Sequence, residues 1–261
     1  MQLVDHVFVL LLFVVQPIYG VIELRRYLRQ IEAGEAPDRS KFYLQTLIVE
    51  WLALVGLAAI WFYYDRSIAS LGFTEPGGLG FWIGAAVVAL AAGFLAYSWH
   101  STRSISDDER LKHRESLGYL VHFLPHTRGE LRTFYGVSIT AGIVEETIYR
   151  GFVLWYLTQL MPIWPAVAVS SVFFGLAHGY QGASGAVRTG LAGFAFGALF
   201  VVTGSIWLPI LGHVLLDALQ GGAIFEILRN HSSHSGNPPS SSGSTIETTP
   251  DGSGSPSAGS A

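Results

Sequence analysis

Residues 134–155 read FYGVSITAGIVEETIYRGFVLW, an apolar, helix-forming stretch with three ionisable side chains near its centre. These side chains are Glu145, Glu146 and Arg150. Each charge near the middle of a membrane helix costs roughly 2.5–3.5 kcal/mol on insertion scales. A chain that keeps three of them so close together needs partners for them, and we predict that this cluster is the centre of a functional site.

The composition is that of a membrane protein, since 50% of the 261 residues are apolar and only 13% are charged. A spanning helix needs about 20 mostly apolar residues, and the apolar residues gather in runs of that kind. We predict an all-α, polytopic membrane helical bundle with about seven transmembrane helices. The predicted spans are residues 5–22, 43–64, 79–98, 132–157, 164–179, 189–204 and 206–228.

The distribution of basic residues predicts the orientation of the chain. The loops after the first span and before the fourth each hold five Lys or Arg residues, and the loop between the second and third spans holds only Arg66. Because basic loops stay cytoplasmic, we expect a multi-pass plasma-membrane protein with the N-terminus outside and the C-terminus inside. Residues 107–115 carry alternating charges and predict a solvated helix face.

Helix geometry predicts different surroundings for the two glutamates. Glu146 and Arg150 are four residues apart, with the acid first, which favours an intrahelical ion pair. Glu145 lies about 100° round the helix and is left to face something else. A purely structural alternative stays open, in which all three side chains pin this helix to its neighbours.

Two further pairs of polar or aromatic residues lie in later spans. Phe174 and His178 are four residues apart, as are His213 and Asp217, so each pair shares a helix face. A common polar cavity would satisfy the imidazoles, Asp217 and the spare glutamate. Glu50 in the second span is expected to pair with a donor on a neighbouring helix.

The motifs Glu145-Glu146-x-x-x-Arg150-Gly151, Phe174-x-x-x-His178 and His213-x-x-x-Asp217 resemble, in order, the three motifs of the CPBP family. That family comprises type II CaaX prenyl endopeptidases and bacteriocin-processing or immunity proteins. The resemblance covers residues 130–220, and the upstream stretch 70–73 (SLGF) is similar to a short element found ahead of the family core. It implies a catalytic helical core over residues 131–229, preceded by N-terminal helices and cytoplasmic loops over residues 1–130. The Ser/Gly/Pro-rich composition of residues 230–261 predicts a disordered tail.

What the resemblance implies is an intramembrane endopeptidase in which a glutamate and a histidine activate water. Glu145 would be the general base, with His178 holding the water. His213 would donate to the oxyanion and Asp217 would fix its tautomer, while Glu146, Arg150 and Phe174 would have positioning roles. The substrate would be a prenylated CaaX-type chain or a leader peptide.

A zinc site is left open by the sequence. Glu145, His178 and His213 supply a carboxylate and two imidazoles, a ligand set suited to catalytic zinc. The spacing has no H-E-x-x-H signature, so a metal-free mechanism stays equally open. The absence of cysteine excludes thiolate ligands, disulfides and a cysteine nucleophile. His231 and His234 are interpreted as part of a polar tail.

The sequence leaves three alternatives to this function. Residues 182–185 (GASG) are similar to the nucleophile signature of rhomboid serine proteases, with Ser184 as nucleophile, but that chemistry gives Glu145, Glu146 and Arg150 no role. A non-catalytic immunity or scaffold protein of the same family is the main alternative, and a transporter is another. The expected partners are membrane lipid and a membrane-associated protein or peptide substrate, with no nucleic acid.

Overall fold

The computed structural model describes residues 1–35 and 38–229, and in these ranges the chain is helical with no strand. The predicted tail at 230–261, with its expected disorder and its two histidines, lies outside the described residues. The all-α prediction is confirmed. The helices are α1 (Leu3–Glu32, with a π-helical segment over Leu11–Val15), α2 (Arg39–Tyr63), α3 (Gly78–Thr102), α4 (Asp107–Leu117), α5 (Arg128–Glu146, continued by a π-helix over Thr147–Val153 and an α-helical turn over Leu154–Thr158), α6 (Ile163–Ala177), α7 (Gly182–Thr203) and α8 (Trp207–Leu228).

Five of these helices are long and apolar enough to cross a membrane: α1, α2, α3, α7 and α8. The other two predicted spans are also helical, but α5 carries three charges in its apolar stretch and α6 has only 15 residues. Each predicted span therefore falls on a helix of a multi-pass membrane protein, although not all seven meet the length and composition of a simple span.

Two predicted boundaries were wrong. The first helix continues to Glu32 rather than ending near residue 22, because the arginine-rich segment that follows the apolar run contains no helix breaker. The sixth span begins at Gly182 rather than near residue 189. Its small residues are used for close helix packing, since a Cβ on Gly175 of α6 would lie 2.6 Å from the carbonyl oxygen of Ala186.

The long helix α5 lies at the centre of the bundle and packs against α2 and α8. The C-terminal half of α5 contributes to the main apolar core, where Phe152 and Val153 are fully buried beside Leu57 and Trp61 of α2. On the side of α8, Gly142 permits close approach, because a Cβ there would overlap the Val214 side chain. The glutamates of α5 are thereby enclosed by neighbouring helices.

Local sequence explains the helix that precedes α5. Ser106 and Glu109 form a capping box at the start of α4, whose first turn is acidic. No residue of α4 is buried, which confirms the predicted solvated helix. A short 3₁₀ helix, Gly118–His122, then leads to α5. From it Tyr119 donates a hydrogen bond to the carbonyl oxygen of Tyr180, in the connection between α6 and α7.

A buried ion pair ties the start of α1 to the connection between α2 and α3. The fully buried carboxylate of Asp5 accepts two hydrogen bonds of 2.8 Å from the Arg66 guanidinium. That guanidinium also lies 4.7–5.1 Å from the ring centres of Trp61, Tyr64 and Trp155. A bidentate pair in an aromatic cage fixes α1 against the end of α5.

Replacing Asp5→Asn is expected to lower the free energy of unfolding by about 2–3 kcal/mol, because it leaves the partly buried Arg66 without its counter-charge. Thermal unfolding in detergent micelles measures this as a lower Tm. The matched control is Glu23→Gln, since the exposed Glu23–Arg26 pair at 3.8 Å contributes little. Equal melting temperatures for the two variants would contradict the anchoring role of Asp5.

Candidate active site

The two glutamates stand where α5 changes its helical form. Regular α-helix ends at Glu146, and the π-helical segment Thr147–Val153 follows immediately. π-helical turns are rare and recur at functional sites, because each inserts an extra residue and rotates the side chains that follow. Every residue of the π-helical segment is buried.

Glu146 is the fully buried centre of the polar cluster. Its Oε1 atom accepts a 2.8 Å hydrogen bond from Nη1 of Arg150 and is 2.8 Å from Nδ1 of His213. The predicted intrahelical pair with Arg150 is confirmed, and the same carboxylate also holds a histidine on α8. One oxygen atom therefore links a cation on its own helix to an imidazole on another.

Arg150 also forms a hydrogen bond with α7. Its Nη2 atom donates a 2.8 Å bond to the carbonyl oxygen of Gly193, and the guanidinium lies 4.6 Å from the ring centre of Phe174. Gly193 has to be glycine for this contact, because a Cβ there would lie 2.9 Å from Phe174 Cδ1 and 3.3 Å from Arg150 Nη2.

His213 presents its second ring nitrogen to two more carboxylates. Nε2 is 3.5 Å from Asp217 Oδ2 and 4.0 Å from Glu145 Oε2. The imidazole is stacked on Phe196, with ring centres 5.5 Å apart. The Nδ1 atom is held by Glu146, a contact that the sequence did not predict and that adds to the contact of Nε2 with Asp217.

Glu145 points toward both histidines. Its Oε2 atom is 3.8 Å from His178 Nε2, too far for a hydrogen bond, and among the described residues this oxygen has no hydrogen-bond partner. His178, which follows the last residue of α6, has its Nδ1 atom 2.9 Å from the carbonyl oxygen of Phe174. A carbonyl only accepts, so Nδ1 carries the proton and Nε2 of a neutral ring offers its lone pair toward Glu145.

The structure thus places all seven residues singled out in the sequence in one cluster: Glu145, Glu146, Arg150, Phe174, His178, His213 and Asp217. Ser184 does not join them, because it is exposed in the first turn of α7 while His213 is buried and bonded to Glu146. Phe196 and the carbonyl of Gly193 are members that the sequence interpretation missed. Aromatic and glycine residues in a membrane helix carry no distinctive signal for such roles.

The predicted zinc ligands do not have metal-site geometry. Zinc with bonds of about 2.0–2.1 Å in a tetrahedral site would hold its ligand atoms roughly 3.4 Å apart. The Glu145 oxygen lies at 3.8 and 4.0 Å from the two imidazole nitrogens. Among residues 1–35 and 38–229, no group of three His, Asp or Glu side chains is arranged to hold a metal ion.

The SLGF element at 70–73 supports the cluster from one end. Gly72 adopts a left-handed φ of 89°, which glycine permits, and its carbonyl oxygen accepts a 2.9 Å hydrogen bond from the Ile206 amide just before α8. Leu71 packs on Gly151, where a Cβ would lie 3.1 Å from the Leu71 carbonyl oxygen. The element therefore fixes α8 relative to the π-helical segment of α5.

Comparison with known families gives one match. Residues 127–219 match the sequence model of the family described as Rce1-like, type II CAAX prenyl endopeptidase. The matched range contains every residue of the cluster, and it confirms the resemblance to CPBP-family intramembrane proteases. No curated protein and no solved structure was found to match the chain.

Replacing Gly193→Ala is expected to destabilise the fold by about 1–3 kcal/mol, because the added methyl group displaces Phe174 or the Arg150 guanidinium. A lower melting temperature in detergent micelles is the measurement. Gly93→Ala is the control, since a Cβ on Gly93 meets nothing within 4 Å. If Gly193→Ala melts no lower than Gly93→Ala, the close fit around Arg150 does not matter for stability.

Proposed function

We propose, from the match of residues 127–219 to CPBP-family proteases, that this chain is an intramembrane endopeptidase that hydrolyses a peptide bond with a water molecule activated by Glu145 and His178. The observation that carries the proposal is the unbonded Oε2 atom of Glu145, 3.8 Å from His178 Nε2 and 4.0 Å from His213 Nε2. A spare carboxylate oxygen facing two imidazoles suits general base catalysis.

In the proposed mechanism, a water molecule lies between the general base Glu145 and its helper His178. A separation of 3.8 Å is too long for a direct hydrogen bond, and polar groups at such distances are commonly bridged by water. In the proposed step, Glu145 removes a proton from that water as its oxygen attacks the scissile carbonyl. His178 Nε2 accepts the other water hydrogen and holds the nucleophile in line.

The oxyanion is assigned to His213. With Nδ1 bonded to Glu146, a protonated His213 directs its Nε2–H toward the space beside Glu145, where a tetrahedral intermediate would form. Asp217 lies 3.5 Å from the same nitrogen and has the proposed role of fixing the tautomer of the ring. Glu146 and Arg150 act as positioning residues, since they hold the ring without reaching the reacting atoms.

The substrate is proposed to be a membrane-associated chain, either prenylated at a CaaX-type C-terminus or carrying a leader peptide. Helices suited to cross a membrane surround the cluster, so a substrate has to approach through lipid or from the membrane surface. A lipid-modified or hydrophobic segment concentrates a peptide at that location.

Glu145→Gln is expected to reduce kcat by at least about 10²-fold, because the amide keeps the shape of the side chain but cannot accept the proton from water. The measurement is cleavage of a farnesylated peptide with a CaaX terminus by the purified protein, with terminal proteomics of cells carrying each form to identify native substrates.

Ser184→Ala is the matched control and is expected to retain wild-type activity. A loss of cleavage in Ser184→Ala with full activity in Glu145→Gln would support serine protease chemistry instead. No cleavage by the wild type, with no terminus changed in cells, would favour the non-catalytic immunity or scaffold role.

The protease is expected to keep its activity after treatment with strong chelators, because Glu145, His178 and His213 are spaced too widely for a zinc site. Activity of the purified protein is measured before and after treatment, together with its metal content. Loss of activity on chelation that returns with one equivalent of zinc would overturn the metal-free mechanism.

A further inference from the structure

Glu50 on α2 is a membrane-helix carboxyl group that the proposed mechanism does not use. Its Oε2 atom is enclosed, and among the described residues it has no hydrogen-bond partner. The sequence predicted a donor on a neighbouring helix, and the structure supplies none to this atom. An enclosed carboxyl oxygen without a donor is costly, and such a group in a membrane helix is usually functional.

The packing of α2 on α5 sets the depth of Glu50 in the bundle. The two helices run in the same direction, since Arg39 bonds Glu130 at 3.3 Å near their first turns and Trp61 packs on Phe152 near the far end of α2. The same register places Glu50 level with Ala141 of α5. Glu50 therefore lies four residues, or about 6 Å along the axis, from the level of Glu145.

Glu50 also lies on the face of α2 that meets α5. Tyr43 and Leu57, seven residues before and after it, are buried at 2% and 1% exposure, and seven residues are close to two helical turns. Tyr43 packs on Phe134 of α5, with ring centres 5.9 Å apart. The Oε2 atoms of Glu50 and Glu145 are both enclosed, and among the described residues neither has a hydrogen-bond partner.

The cluster therefore contains more acids than bases. Glu50, Glu145, Glu146 and Asp217 accompany two histidines and one arginine in this part of the bundle, and the Arg150 guanidinium is already bonded to Glu146 and Gly193. Such a cluster favours a group that becomes positively charged during the reaction, because a cation in a lipid-buried site needs a counter-charge.

Peptide hydrolysis produces that cation at the leaving nitrogen. The proton that Glu145 takes from water passes to the nitrogen of the tetrahedral intermediate, which becomes positively charged. The C–N bond then breaks, its electron pair stays on nitrogen, and the carbonyl carbon keeps the water oxygen. The second water proton also ends on the amine, so the products are a carboxylate and an ammonium group.

We propose that Glu50 is a catalytic residue that binds the leaving nitrogen, with its free carboxyl oxygen stabilising the ammonium as the peptide bond breaks. The inference rests on the proposed hydrolytic function of Glu145. It assigns the leaving-group side of the substrate to the region between Glu145 and Glu50, along the α2–α5 contact. This interaction exists only once the nitrogen is protonated, so it acts on kcat rather than on binding.

The test compares an amide with an ester. The probes are a farnesylated peptide ending in Cys-Val-Ile-Ala and the same molecule with the scissile N–H replaced by oxygen. An alcohol leaves without becoming a cation and does not need Glu50. In Glu50→Gln, kcat for the amide is expected to fall on the order of 10²-fold with KM little changed, while ester cleavage stays at the wild-type rate.

Two variants complete the design. Glu226→Gln makes the same chemical change at another enclosed carboxylate near the end of α8 and is expected to cleave both probes normally. Glu50→Asp keeps the acid and is expected to recover part of the amide activity. Equal losses for amide and ester in Glu50→Gln, or no loss for either, overturn the role of Glu50.

The outcomes also separate this inference from the proposed function. Glu145→Gln is expected to abolish cleavage of both probes, since both need an activated water. If the wild type cleaves neither, or if Glu145→Gln still cleaves both, the hydrolytic function itself fails. If cleavage depends on Glu145 but is unchanged in Glu50→Gln, only the assignment of the leaving-group side to Glu50 is wrong.

Discussion

One buried carboxylate organises this protein. Glu146 is fully enclosed, and its Oε1 atom lies 2.8 Å from both the Arg150 guanidinium and the His213 imidazole. A charge at such a position is tolerated only with partners, and the partners lie on α5 itself and on α8. Through Arg150 the interaction reaches the Gly193 carbonyl on α7, so a single side chain sets the mutual arrangement of three helices.

The different surroundings of the adjacent glutamates Glu145 and Glu146 follow from this arrangement. Glu146 is bonded to its partners through Oε1 and holds the scaffold, whereas Glu145 is turned about 100° away and faces His178 and His213. The Oε2 atom of each glutamate is buried without a hydrogen-bond partner among the described residues. Two identical side chains in sequence thereby receive different environments. The aromatic rings of Phe174 and Phe196 enclose the cationic side of the cluster and restrict the positions that Arg150 and His213 can take.

Much of this organisation could be predicted from the sequence. Apolar runs gave the helices, the four-residue spacing of Glu146 and Arg150 gave their pair, and the two histidine motifs indicated a shared cavity. The contact between Glu146 and His213 could not be predicted, because it joins residues 67 positions apart and depends on how α8 docks. The π-helical segment could not be predicted either, because its composition is that of an ordinary apolar helix.

The errors in the predicted helix boundaries have a similar physical cause. Residues 182–188 are rich in small side chains, which suit turns in isolation, but packing against α6 makes them helical. The Arg25–Arg29 region continues α1 because helix formation does not require apolar side chains. Glu50 shows the opposite case, where a local pattern suggested a satisfied polar residue and the tertiary structure left its oxygen free.

The shortness of α6 has a consequence for hydration. Fifteen residues extend about 22 Å, whereas the hydrocarbon interior of a bilayer is roughly 30 Å thick, so α6 cannot reach both membrane surfaces. The chain reverses at His178–Gln181. There the Tyr180 carbonyl oxygen accepts a hydrogen bond from the Tyr119 hydroxyl group and does not need water as a partner. A helix of this length leaves polar backbone inside the nonpolar layer, and this would give the proposed hydrolysis a shorter route to bulk solvent.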